Sequence, residues 1–151
     1  MNNMFNGSKL AVILRYMIYA AALTPLIIFS QFLSPFHFGK VVVFRSVVEI
    51  MLVFYLLLVW RDRSYWVKWD KITWSFFAFA SIFTLTTLTS VNIYQSFWGT
   101  LERMGGLWSF WHYFIYFVIL VSVMRTRKDW IRLLKLMIVV GILSALYGFG
   151  Q

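Results

Sequence analysis

The 151-residue chain contains no cysteine, two prolines and only five acidic residues. Without cysteine there is no disulfide and no thiol chemistry. Charge of both signs is scarce as well, because 13% of the residues are charged, against roughly 25% in soluble domains. Hydrophobic residues make up 62% of the chain, and its mean hydropathy is +0.78. This composition is typical of a protein that folds in a lipid bilayer.

Long runs without charge predict membrane-spanning helices. Residues 16–33 and 72–91 contain no charged residue, and residues 107–124 contain one histidine and no formal charge. Each run is close to the ~20 residues that cross a hydrocarbon core of roughly 30 Å. We therefore predict an all-α, polytopic membrane protein with about five transmembrane helices, one short interfacial amphipathic helix and a single membrane domain over residues 1–151. The predicted spans are about 10–33, 41–60, 72–91, 107–124 and 133–150, and the interfacial helix covers about 92–104.

The net charge of +9 is unevenly distributed between the two sides of the predicted bundle. Eleven of the 14 Lys and Arg residues flank the ends that would share the N-terminal side, and Lys40, Arg45 and Arg103 lie towards the other. The positive-inside rule then places the N-terminus in the cytoplasm and the protein in the cytoplasmic (inner) membrane. Anionic lipid headgroups, and not nucleic acid, are the expected partners of this basic charge.

The segment 92–108, NIYQSFWGTLERMGGLW, lies between two predicted spans. Asn92 is a helix-capping residue with Gln95 three positions later, a variant of the capping box. Apolar residues then recur at three- and four-residue spacing, and Gly105-Gly106 follow as a helix terminator. This pattern predicts an amphipathic helix in the membrane interface, either floating on lipid or forming part of a site. The apolar positions are Tyr94, Phe97, Trp98, Leu101 and Met104.

Three ionisable residues fall inside predicted spans: Arg45, Glu49 and His112. Arg45 and Glu49 are four residues apart, so they share a helix face and can form an intramembrane pair. That pair would be either a structural staple between helices or the lining of an outward-facing polar cavity. His112 would be an interhelical hydrogen-bonding residue or, less simply, a catalytic one. An acid near the bilayer centre must be paired, protonated or hydrated.

The predicted outer side carries Lys40, Arg45 and Arg103, together with His37 and His112, and few acids. Arginine binds phosphate oxygens in a bidentate fashion, so these cations predict a site for a lipid-linked phosphate or diphosphate, or for ordinary phospholipid headgroups. Two separated histidines and no cysteine predict no metal site. No phosphate-binding loop, dinucleotide fingerprint or Ser-His-Asp set is found, so we expect no cofactor.

The stretches TPLIIFSQFLSPFHFGKVVVFRSVVEI, NIYQSFWGTLERMGGLWSFWHYFIYF and KDWIRLLKLMIVVGILSALYGFGQ occur in this order. Together they resemble the N-terminal half of the O-antigen ligase/polymerase family of bacterial glycan ligases and polymerases. The strongest part is SFWGTLERMGG, residues 96–106, which is similar to that family's S-[FW]-x-G-x-x-x-R-x-x-G pattern after the third span. The pair Arg45 and Glu49 and the later KDW support the likeness.

The resemblance implies an enzyme that transfers a glycan from a polyprenyl-diphosphate carrier to a lipid, sugar or protein acceptor on the outer face of the membrane. Arg103 matches the pattern's arginine and would lie near the diphosphate. The family's catalytic residues belong to a large outer loop, which would lie beyond residue 151. We therefore expect a truncated N-terminal portion that is inactive alone. The alternatives are a non-catalytic membrane assembly subunit and a transporter fragment, although five dissimilar spans lack a transporter's repeats.

Overall fold

A computed structural model of the chain describes residues 7–27, 38–100 and 104–150. These residues form six α-helices and two short 3₁₀ turns, with no strand among them, which confirms the predicted all-α class. The helices are α1 (Gly7–Ala22), α2 (Phe38–Arg61), α3 (Lys71–Leu88), α4 (Ile93–Trp98), α5 (Leu107–Val123) and α6 (Arg127–Phe149). The 3₁₀ turns are Thr24–Leu26 and Arg63–Tyr65.

Helix length and composition confirm a polytopic membrane architecture. Four segments are long and apolar enough to cross a membrane: Gly7–Leu26, Gly39–Arg61, Lys71–Leu88 and Arg127–Phe149. The fifth apolar helix, α5, has 17 residues and therefore extends about 25 Å at 1.5 Å per residue. This is slightly short of a hydrocarbon core of roughly 30 Å. The five predicted spans correspond to these four helices and α5.

Two span boundaries differ from the predicted ones. The first span is predicted to extend to about residue 33 with a kink at Pro25, but α1 ends at Ala22 and Pro25 lies in the 3₁₀ turn that follows. Proline lacks a backbone donor and disfavours a helical residue before it, so it ends the helix here. Residues 28–33 of that span lie outside the described part. At the other end, α6 begins at Arg127 instead of 133, because the Thr126 side chain accepts a hydrogen bond from the Asp129 N–H and caps it.

The core lies where α1, α2 and α5 pack together, with α3 against α5 and α6 against α1. Its buried side chains come mainly from the first two of these helices, and the others come from α5, the residue that follows it and α6. The most completely buried are Leu10, Leu14, Ile18, Met51, Leu58 and Ile119. By contrast, α3 and α6 expose many large apolar side chains, as helices facing lipid do.

The two ends of the bundle differ in charge, and we call them the basic end and the loop end. The basic end holds the start of α1 and α6 and the turn between α2 and α3, including Arg61, Arg63, Lys68 and Lys71. There the Arg125 guanidinium lies 3.9 Å from the centre of the Tyr65 ring. The loop end holds the start of α2, all of α4, and the described residues 99–100 and 104–106, which we call the 99–106 loop.

Asp70 caps α3 at the basic end. Its side chain accepts a hydrogen bond of 2.8 Å from the backbone N–H of Thr73. This hydrogen bond favours the carboxylate and lowers the pKa of Asp70 below its ordinary value. The start of the third span is therefore defined by a polar cap between two basic residues, Lys68 and Lys71.

Candidate functional site

Arg45 is buried in α2 near the loop end, and its guanidinium binds groups from a different part of the chain. Its Nη2 donates a 2.9 Å hydrogen bond to the carbonyl oxygen of Met104 and a second one to the Ser109 hydroxyl of α5. Ser109 also donates to the same carbonyl. Arg45 thus links the 99–106 loop to α2 and α5, and these hydrogen bonds hold the described part of that loop in place.

Glu49 does not form the predicted direct pair with Arg45. Its carboxyl Oε1 lies 3.2 Å from Nε2 of His112 on α5, and this contact and Arg15–Asp129 are the ion pairs among the described residues. The four-residue spacing permits a contact within α2. Helix packing instead places His112 and Ser109 of α5 against that face, so Arg45 and Glu49 each take a partner from α5.

His112 is buried and is held at both ring nitrogens. Nδ1 lies 2.7 Å from the Trp108 carbonyl oxygen one turn earlier, and Nε2 faces Glu49. The Trp108 ring packs edge-on against the imidazole, with 4.9 Å between ring centres. His112 therefore joins two helices, as predicted for an interhelical hydrogen-bonding residue.

The interfacial helix is half as long as predicted. Asn92 caps it as expected, since its side-chain oxygen accepts from the Gln95 N–H at 3.0 Å. The helix nevertheless ends at Trp98, because Gly99 adopts a left-handed φ of 82° that stops it. The prediction of a continuous helix over 92–104 is therefore wrong. Arg103, the arginine singled out by the resemblance, lies with residues 101–102 outside the described part, as does His37.

The 99–106 loop folds back on itself at its glycines. A Cβ atom added to Gly99 would lie 2.5 Å from the Gly105 nitrogen and 2.7 Å from the Gly106 nitrogen. Only glycine permits so close a backbone approach. Phe97 and Trp98 of α4 pack against Trp108 of α5, with ring centres 5.9 and 6.2 Å apart. The loop is thus fixed on one side by aromatic packing and on the other by Arg45.

An apolar cavity of about 710 Å³ lies between α1, α2, α5 and α6. Lys40, in the first turn of α2 at the loop end, is the one charged residue among its described lining residues. The α6 residues that line it run from Trp130 to Ser144, which is about 21 Å of helix. Tyr113 and Tyr116 of α5 form the facing wall. The cavity is therefore long, apolar along its length and cationic at one end.

The described cations among the predicted site residues, Lys40 and Arg45, do not form one cluster. Lys40 lines the cavity, whereas Arg45 does not line it and is committed to Met104 and Ser109. Sequence patterns did not indicate Ser109 or the pair of Arg15 with Asp129. The spacing of Ser109 and His112, three residues apart on α5, places both on one helix face and could have indicated Ser109. Comparison with family models, curated proteins and solved structures finds no match to this chain.

Proposed function

We propose that this chain is the N-terminal membrane portion of an O-antigen ligase/polymerase-like enzyme. Such an enzyme transfers a glycan from a polyprenyl-diphosphate carrier to an acceptor on the outer face of the cytoplasmic membrane. The observation that carries the proposal is the apolar cavity of about 710 Å³, which has one lysine at its end. The resemblance of residues 96–106 is a second, independent support from the sequence.

The cavity has the chemistry of a site for an isoprenoid chain with an anionic head. Transfer of the isoprenoid chain from lipid into the cavity would cost little free energy, because both environments are apolar. The free energies of the chain in the two environments would differ only through packing. Binding specificity would therefore depend on the head. Lys40 lies in the first turn of α2, where the helix dipole also favours an anion. A diphosphate placed beside Lys40 would leave its glycan outside the bilayer.

The orientation follows from the charge of the basic end. Arg61, Arg63, Lys68 and Lys71 occupy one connection, and the positive-inside rule assigns this end to the cytoplasm. The loop end, with Lys40 and the 99–106 loop, then faces outwards, where the glycan would be transferred. Arg103 is carried over from the resemblance as a second cation for the diphosphate. Arg45, bound to the Met104 carbonyl, would position the loop that carries it.

Replacing Lys40 should weaken binding of a polyprenyl diphosphate. We expect Lys40→Gln to raise its Kd about tenfold, the effect of ~1.4 kcal/mol lost with one ionic contact. Binding of the uncharged polyprenol should change little, since its chain meets the same walls. The measurement is a titration of protein in nanodiscs with each lipid, followed by native mass spectrometry. Arg103→Ala should also weaken diphosphate binding and spare the polyprenol.

Lys71→Gln is the matched control, since Lys71 is likewise in the first turn of a spanning helix but lies at the basic end. It should leave both affinities unchanged. Equal losses from Lys40→Gln and Lys71→Gln would mean that net charge alone attracts the lipid. No loss from Lys40→Gln would remove Lys40 from the site and the proposal's main support with it.

A further inference from the structure

The contact between Glu49 and His112 requires a proton that neither residue carries in its ordinary state at neutral pH. A carbonyl oxygen only accepts, so the 2.7 Å contact of Nδ1 with the Trp108 carbonyl places a hydrogen on Nδ1. A neutral imidazole protonated there has only a lone pair at Nε2. A carboxylate oxygen is also an acceptor, and two acceptors repel at 3.2 Å.

One added proton resolves this conflict. It sits either on Nε2, giving an imidazolium beside a carboxylate, or on Oε1, giving a carboxylic acid that donates to a neutral imidazole. Both forms leave the couple with no net charge. Glu49 lies ten residues from the start and twelve from the end of the Gly39–Arg61 span, near its middle, where an unneutralised acid is costly.

Arg45 offers Glu49 a second partner once the proton leaves. It lies one helical turn away, and its buried Nε–H has no hydrogen-bond partner among the described residues, since its bonds to Met104 and Ser109 are made by Nη2. A buried donor without a partner is unfavourable. The Glu49 carboxylate, once released by His112, can accept a hydrogen bond from this Nε–H. The bonds of Nη2 to Met104 and Ser109 then stay in place. The positive charge of Arg45 also weakens proton binding at Glu49, because it favours the carboxylate.

The other ionisable groups near this face do not compete for Glu49. Tyr113 of α5 is the further ionisable group near Arg45. On the remaining elements packed against α2 and α5, the Tyr19 hydroxyl of α1 is buried without a hydrogen-bond partner among the described residues, and the groups named next have other positions or partners. Arg15 of α1 pairs with Asp129, Tyr116 of α5 donates to the Ile18 carbonyl, Lys71 and Arg63 lie at the basic end, and Tyr94 of α4 is exposed.

We propose that Glu49 and His112 form a reversible proton-binding site inside the membrane. With the proton bound, Glu49 contacts Nε2 of His112. When the proton leaves to water, Nε2 retains its lone pair and the carboxylate moves to the Arg45 Nε–H. The Glu49 side chain is 59% exposed, so neighbouring protein atoms leave it room to move between these two partners. The site does not depend on which lipid the cavity binds.

The chain has two histidines, so His37→Gln protein labelled with ¹⁵N-histidine reports on His112 alone. Its nitrogen resonances in nanodiscs should show Nδ1 protonated throughout and one titration step at Nε2 as the pH is varied around neutrality. Glu49→Gln should move the step down by about one pH unit or more, because the carboxylate partner is lost. Asp70→Asn, at the basic end, removes a carboxylate that is remote from this site and should leave the step unchanged.

Arg45→Met should move the step to higher pH by about one unit or more, since the released carboxylate loses its alternative partner. Arg45→Lys keeps a positive charge and should move it in the same direction by less, which preserves the test if Arg45→Met folds poorly. A neutral His112 protonated on Nε2 at every pH would overturn the proposal. A titration step that neither the Glu49 nor the Arg45 variants move would overturn it as well.

Discussion

Gly106→Ala should destabilise the folded protein strongly, while Gly105→Ala next to it should not. A Cβ atom at Gly106 would lie 2.5 Å from the Gly99 nitrogen and closer still to the Phe97 carbonyl oxygen. Both are backbone atoms, so the clash cannot be relieved by rotating a side chain. Overpacking of this kind typically costs ~1–3 kcal/mol, and we expect the upper end of that range. A Cβ at Gly105 would meet nothing within 4 Å.

The measurement is the thermal midpoint of the detergent-solubilised protein. It is obtained from the fraction of protein that remains monodisperse after heating to each temperature. We expect Gly106→Ala to lower this midpoint by several degrees and Gly105→Ala to change it by one or two at most, as for ordinary surface substitutions of ~0.5 kcal/mol or less. Equal effects of the two variants would show that the 99–106 loop is not closed by backbone contact between its ends.

Arg15→Met should also cost stability, on the order of 2 kcal/mol, because it leaves the Asp129 carboxylate buried without its ion pair. The Asp129 side chain is 4% exposed, and its Oδ1 lies 3.4 Å from Arg15 Nε. Breaking a buried pair typically costs ~3–5 kcal/mol. The figure is smaller here because the Arg15 side chain is 31% exposed and because Asp129 lies in the first turn of α6, where the helix dipole favours a negative charge.

A double change separates this pair from a general loss of charge. Arg15→Met with Asp129→Asn should be more stable than Arg15→Met alone, since no uncompensated charge remains buried. Lys9→Met removes a positive charge from an exposed position on the same helix and should have little effect. The account of this pair fails if Lys9→Met is as costly as Arg15→Met, or if Asp129→Asn gives no recovery. The pair matters for the cavity because α1 and α6 form two of its walls.

Hydropathy predicts the spans because a bilayer requires each backbone polar group to be bonded within its helix. Long apolar runs therefore correspond to helices with little ambiguity. The cap at Asn92 is similarly local, since it depends on one side chain and a backbone N–H three residues later. The end of α4 is harder to predict from the sequence. The apolar spacing continues through Leu101 and Met104, and it gives no sign that Gly99 takes a left-handed conformation.

The partners of Arg45 and Glu49 could not be predicted from α2 alone. Their four-residue spacing allows the two to pair with each other, but packing against α5 decides which groups are near. Ser109 and His112 both lie on the face of α5 that meets α2, and of the two only His112 is ionisable. The cavity is also a product of packing, since its lining comes from two pairs of helices, α1 with α2 and α5 with α6, that are distant from each other in sequence.

Photocrosslinking of a polyprenyl diphosphate tests most directly whether the cavity binds the carrier's isoprenoid chain. The lipid would carry a diazirine near the middle of that chain, and labelled residues would be mapped by mass spectrometry in nanodiscs. We predict labelling mainly of buried α6 residues that line the cavity, such as Leu133 and Val140, and its loss when unlabelled polyprenyl diphosphate competes. Labelling of lipid-exposed residues of α3, such as Ile82 and Leu85, to the same extent would contradict the account.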